Sequence, residues 1–298
     1  AQFYTRLGTP PEGDLTAQVA RMIVRKKLEQ EHITFIDATQ GVNAVAFNQV
    51  AEHDKGRMII KNNVPKAKAL TQNILAEINS SVSRSLLTFI DPRKPTIGAF
   101  AAEASTQHKT LSATDYGDKQ WPDIPELAEK YDTIFKNVDI IFVPDDAIIK
   151  GMKKENPDAL INGLYEQYET PYILMSNGGH DATAMVNGKS YTIPVADYDG
   201  VKYTLAAGDT RNAGFALSLV LLHQSGELED DPDRAMLKAF KMASVIATEK
   251  IKKPGRQFVE GLYDVLERHE LFHQYLSFAE LSTPSIGKKF NEGLYPSS

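Results

Sequence analysis

Two alanines, a glycine and an aspartate stand in a row at Ala206, Ala207, Gly208 and Asp209, directly ahead of a long apolar segment that reads as a helix. Small residues let a backbone approach a ligand closely. The first amides of a helix are unpaired donors at the positive end of its dipole. Such a turn can cradle the oxygens of a transferring phosphoryl group. A carboxylate beside it, Asp209, can draw the proton from an attacking hydroxyl. An aspartate at a helix start also serves as a cap, and on these four residues alone both roles stand.

Other patterns with chemistry in them are fewer. His269 and His273 bracket Glu270 in the order His-Glu-x-x-His, which on a helix sets two imidazoles on one face for zinc. Leu276 and Ala279 break the longer form of that motif, and His269 also continues the apolar stripe Phe258, Leu262, Val265. No Gly-x-Ser-x-Gly elbow or Walker loop occurs. Asn177-Gly178-Gly179-His180 follows a strand but leads into a hairpin, so it is not a dinucleotide loop opening a helix.

Composition narrows the class. With no cysteine among 298 residues, a disulfide, a thiolate metal site and a thiol nucleophile are all excluded, which fits a reducing compartment; the expectation is a cytoplasmic protein. A net charge of −6 argues against a nucleic-acid partner, which needs a basic face. The lysines at 61–68 and 250–253 read as solvated helix ends and loops. The apolar run at 213–222 is too short for a bilayer, and the first residues lack the basic-then-apolar order of a signal peptide.

The elements that would position the turn alternate. The first eight residues read as a strand running into a turn, residues 14–31 as a helix, and 33–38, 42–50 and 57–60 as strands. From there helices are predicted over 67–78, 96–107, 125–135 and 159–167. Strands are predicted over 85–90, 109–113, 138–143 and 172–176. Short apolar strands between amphipathic helices indicate a mostly parallel sheet covered on both faces, an α/β fold. Asn187-Gly188 between two strand-like runs signals a type I′ hairpin. A single domain, with the strands of 33–60 as a small appendage, is the simplest organisation.

The stretch Thr204-Leu205-Ala206-Ala207-Gly208-Asp209-Thr210, followed by Asn212-Ala213-Gly214-Phe215, resembles the second signature of the ribokinase, or PfkB carbohydrate kinase, family. The order of elements is similar too. Ser176-Asn177-Gly178 ends a strand where the family has Thr-x-Gly-x-x-Gly, with a hairpin behind it. Ala113-Thr114-Asp115-Tyr116 with Trp121 resembles the Asp-x-Asn-Tyr-Arg-Pro stretch of its sugar-acid and fructose kinases. The resemblance implies a three-layer α/β/α sandwich with a small β lid at 33–60. It implies ATP as phosphoryl donor, Mg2+, and a sugar or sugar-acid hydroxyl as acceptor. Asp209 would be the catalytic base and Ala206, Ala207 and Gly208 the anion hole. Ser176, Asn177, Gly178 and Gly179 would line the nucleotide. Asp91, Asn43 and Arg57 would touch substrate, Asp145 and Asp146 would face magnesium, and a homodimer would form through the lid strands.

The sequence departs from that pattern in places. Residue 148 is Ile where the family has the Glu of its Asn-x-x-Glu motif. Tyr203 replaces the Asp that opens the second signature, so the resemblance carries over no monovalent-cation site. Asp181 stands where a last glycine is expected, and Arg211 stands where an apolar residue is common. Arg211 would either contact phosphate or reach solvent. The opening strand and Gly-Gly-x-x-x-Asn helix of the family have no counterpart, so the chain reads as truncated there or as having lost part of its sugar site. A sugar kinase, a nucleoside kinase and a non-catalytic binder on the same scaffold therefore all remain open.

Overall fold

The computed structural model describes residues 3–8, 33–40, 46–50, 57–61, 66–67, 71–92, 95–116, 125–144, 157–194 and 207–252. The chain divides into two compact units, residues 1–81 and 82–298. The helix expected at 14–31 and the histidine pair at 269 and 273 lie outside the described residues.

In the first unit, β1 (Phe3–Gly8) runs parallel to β2 (Ile33–Gln40), with Phe3 opposite Ile33. Strands β3 (Ala46–Val50) and β4 (Arg57–Lys61) form a separate antiparallel ribbon. A two-residue β5 (Lys66–Ala67) pairs antiparallel with β2. Helix α1 (Gln72–Val82) therefore starts later than the apolar spacing over 67–78 suggests. The Thr71 hydroxyl accepts from the Ile74 amide at 3.4 Å and its carbonyl from the Leu75 amide at 3.0 Å, which caps the helix at that point.

The second unit is built on six strands. They are β6 (Leu87–Ile90), β7 (Leu111–Asp115), β8 (Ile140–Val143), β9 (Tyr172–Asn177), β10 (His180–Val186) and β11 (Lys189–Ile193). Their spatial order is β11-β10-β9-β8-β7-β6. The pairs from β6 to β9 are parallel, and β10 and β11 add an antiparallel hairpin edge, so the sheet is mostly parallel as its alternating pattern predicts. The Asn187-Gly188 turn has both residues at positive φ, 46° and 77°, as a type I′ hairpin requires.

Helices α2 (Pro95–His108), α3 (Pro125–Asn137) and α4 (Pro157–Tyr168) connect the parallel strands. After the hairpin come α5 (Ala207–Gln224), the single turn α6 (Glu227–Asp230) and α7 (Pro232–Lys252). Successive strand residues point to opposite faces. Ile140, Phe142, Tyr172 and Leu174 accordingly join Phe215, Leu219 and Phe240 of α5 and α7 in one core. Ile141, Val143, Ile173 and Met175, equally buried, face the other way, toward α2 and α4. This is a three-layer α/β/α arrangement.

Where α5 crosses α7 the backbones come close. A Cβ on Gly214 would lie 3.1 Å from Ile246 Cδ1 and 3.2 Å from Ile246 Cβ. Gly214→Val drives its branches into that side chain and costs about 1–3 kcal/mol, read as a lower urea midpoint. On α7 itself, burial pushes the Lys241 ammonium down from 10.5 to about 8. Between those values the unfolded chain still holds the proton that the folded chain has released. The contribution of this group to stability therefore rises as pH climbs from 8 to 10.5. A thermal-midpoint profile should show that rise in the parent and lose it in Lys241→Met.

Candidate functional site

Parallel strands deliver their C-terminal ends to one edge of the sheet, the edge at which open α/β folds bind ligands. In this unit β6 ends ahead of Asp91, β7 ends on Asp115, β8 on Val143 and β9 on Ser176 and Asn177. Helix α5 begins at the same edge, because Arg211 on its second turn reaches both Asp115 and Ser176.

Asp209 is the third residue of α5 and is exposed. It therefore sits inside the first turn of the helix. No hydrogen bond or ion pair joins its carboxylate to another described residue. Gly208 beside it is also exposed, and a Cβ built there would meet nothing within 4 Å. The turn thus presents bare backbone and a free carboxylate outward, at the positive end of an 18-residue helix.

Beneath it lies a polar network. Arg211 is 5% exposed, so the option that it reaches solvent is ruled out. Its Nη2 donates to Asp115 Oδ1 at 3.2 Å, and its Nη1 donates to Ser176 Oγ at 3.0 Å. Nε and Nη2 also donate to Asn212 Oδ1, at 3.2 and 3.1 Å. Asn212 Nδ2 closes the ring by donating to Asp115 Oδ2 at 2.8 Å. The Ser176 hydroxyl in turn donates a hydrogen bond to the Val143 carbonyl at 3.3 Å. The guanidinium lies 4.8 Å from the centre of the Phe142 ring, a cation–π distance.

Of the residues singled out from the sequence, Asp91, Ser176 and Asn177 lie at or just beyond the strand ends, and Gly178 (φ 56°) and Gly179 form the tight turn from β9 to β10. Asp181 is exposed on β10. Ala207, Gly208 and Asp209 open α5. Arg57 lies on β4, in the first unit. Asn43, Asp145, Asp146 and Ala206 lie outside the described residues. Among the described residues no three His, Asp or Glu side chains gather as a metal site, and no helix is long and apolar enough to cross a membrane. The sequence reading missed Asn212 and the role of Asp115. One signal was available: Arg211 shares the spacing 211, 215, 219, 222 with the apolar Phe215, Leu219 and Leu222, which places its charge on the buried side of the helix.

The sequence matches the pfkB family carbohydrate kinase model over residues 20–260. No curated protein matches it. The fold is similar to that of a ribokinase from Giardia lamblia, with a TM-score of 0.66 at 15% identity, over 89% of this chain and 82% of that one. It is equally similar to an ATP-bound fructokinase from Xylella fastidiosa, with a TM-score of 0.66 at 14% identity, over 90% of this chain and 84% of that one. A ribokinase from Arabidopsis thaliana, complexed with ribose and ATP, aligns with a TM-score of 0.57 at 16% identity, over 88% and 81% of the two chains. With more than half its length matched by the family model, the chain belongs to the pfkB family of carbohydrate kinases.

Proposed function

We propose that this chain transfers the γ-phosphoryl group of ATP to a hydroxyl of a sugar or sugar acid. The observation that carries the reading is the uncommitted, exposed carboxylate of Asp209 on the first turn of α5, at the C-terminal edge of the parallel strands. Asp209 takes the proton of the acceptor hydroxyl. The acceptor oxygen forms a bond to the γ-phosphorus while the bond to the β,γ-bridging oxygen breaks and ADP departs. Amides at Ala206, Ala207 and Gly208 donate to the phosphoryl oxygens, where the helix dipole adds to their effect. Ser176, Asn177, Gly178 and Gly179 line the nucleotide; the turn at Gly178 brings bare backbone to that side. Asp91, just beyond the end of β6, is assigned to the acceptor.

Magnesium is expected with the nucleotide, held mainly by phosphate oxygens and water, with Asp145 and Asp146 as the protein's own carboxylates. No monovalent cation is assigned. A homodimer through the strands of 33–60 and a cytoplasmic location complete the reading.

Calorimetric titration of the full chain with ATP and MgCl2 tests the nucleotide half directly. Saturable binding in the range of about 1 μM to 1 mM is expected. Absence of binding at several times the upper value would remove the reading.

A further inference from the structure

We propose that Arg211 is a positioning residue: with Asp115 and Asn212 it clasps the start of α5 to the strand ends and so aims Asp209. The proposal rests on the phosphoryl-transfer reading for its consequence, but on geometry for its substance.

A helix that presents a reactive group from its first turn must be held there by something. In α5 the usual apolar anchor is absent at this end. Ala207 and Thr210 are half-buried, Gly208 and Asp209 are exposed, and the first buried apolar side chain is Phe215. The two buried side chains ahead of Gly214 are Arg211 and Asn212, both polar. Together they grip both carboxylate oxygens of Asp115, through Arg211 Nη2 at 3.2 Å and Asn212 Nδ2 at 2.8 Å. Arg211 then reaches β9 through Ser176 at 3.0 Å and lies on the Phe142 ring of β8 at 4.8 Å. One side chain thus joins the helix start to three adjacent strands. Residues two apart on a helix point about 200° away from each other. Holding Arg211 inward therefore turns Asp209 outward, which matches their burial.

Stability alone does not explain the arrangement. A positive guanidinium near a helix N-terminus is opposed by the helix dipole. An ion pair whose guanidinium is buried while its carboxylate stays 37% exposed contributes little net free energy against a well-packed apolar alternative. What a planar fork with directional donors does supply is geometry, held more tightly than packing around Gly208 can hold it.

The test separates aim from stability. Arg211→Met leaves Asp115 without its cation and should lower the denaturation midpoint, whereas Asp115→Asn with Arg211→Met removes both charges and should restore it. If Arg211 positions Asp209, the double variant, though stable, turns over ATP and the best acceptor of the wild-type sugar panel 10–100-fold more slowly, with the KM for ATP within about threefold of wild type. If kcat returns together with the midpoint, Arg211 is structural and the proposal fails. A second readout needs no substrate. The amides of residues 211–214 bond to carbonyls four residues earlier, and in the double variant they should exchange with deuterium about tenfold faster, with α7 unchanged. Unchanged exchange there overturns the clasp. A wild-type chain that phosphorylates nothing would count against the kinase reading alone, and the exchange measurement would then decide the clasp.

Discussion

Asp209→Asn lowers the rate of phosphoryl transfer by about 10²–10⁴-fold, the loss expected when a positioned general base can no longer accept a proton. The amide keeps the size and shape of the carboxylate but has no basic oxygen of comparable strength. The fold should hardly respond. Asp209 is exposed and bonds to no other described residue, so what is lost is its attraction to the helix N-terminus, about 0.3–1 kcal/mol. Steady-state kinetics on the variant, with its thermal midpoint measured alongside, read both quantities. A variant that keeps near-parental turnover would show that the proton leaves by another route.

Phe142→Ala should be the most destabilising single truncation in the second unit, at about 3–5 kcal/mol. The side chain is fully buried on β8, at the centre of the sheet. Its ring meets Phe89 at 5.7 Å, Phe215 edge-on at 5.1 Å and Phe240 edge-on at 6.1 Å, and Phe215 and Phe240 stack on each other at 5.1 Å. Removing it opens a cavity between the sheet and both α5 and α7, and the neighbouring rings cannot collapse into it without losing their own contacts. Because Arg211 lies on the same ring, the damage also reaches the site. Phe142→Leu fills most of the volume and keeps an apolar floor, so its cost in equilibrium urea unfolding should be clearly smaller. Equal costs for the two variants would contradict this account of the core.

Much of the second unit was legible because it obeys simple periods. The apolar run at Ile140–Val143 is bounded by helical spacing on both sides, the pattern of a buried parallel strand. The run that opens at Tyr172 follows a helix and leads into a hairpin, the pattern of a strand next to the sheet's antiparallel edge. Asn187-Gly188 names its own turn, since both residues tolerate positive φ. Boundaries were less legible where a capping residue decided them. Strand β7 begins at Leu111, two residues later than apolar spacing suggests, because Lys109 takes a left-handed φ of 55° to close α2. The amides of Lys109 and Thr110 there turn back to the Thr106 and Ser105 carbonyls, a helix stop usually made by glycine.

The site divides in the same way. The Ala-Ala-Gly-Asp turn stands out by residue types, but those types alone leave Asp209 between a cap and a base. It is the resemblance of the flanking residues to the family signature that points to the base. The clasp could not be read in the same way. Asp115 and Ser176 lie 96 and 35 residues from Arg211 in sequence, and their meeting depends on the order of the strands in the sheet. Arg211 alone, spaced with apolar residues, hinted that a buried partner had to exist.

The central claim is that this chain moves the γ-phosphoryl group of ATP onto an alcohol. Phosphorus-31 NMR of the full chain with ATP, MgCl2 and a panel of pentoses, hexoses and sugar acids observes that transfer without a coupling enzyme. The account predicts that ATP signals give way to ADP and a new phosphomonoester in at least one mixture, and that Asp209→Asn suppresses the new signal. ATP left intact across the whole panel, or hydrolysed to inorganic phosphate with no ester formed, would contradict it.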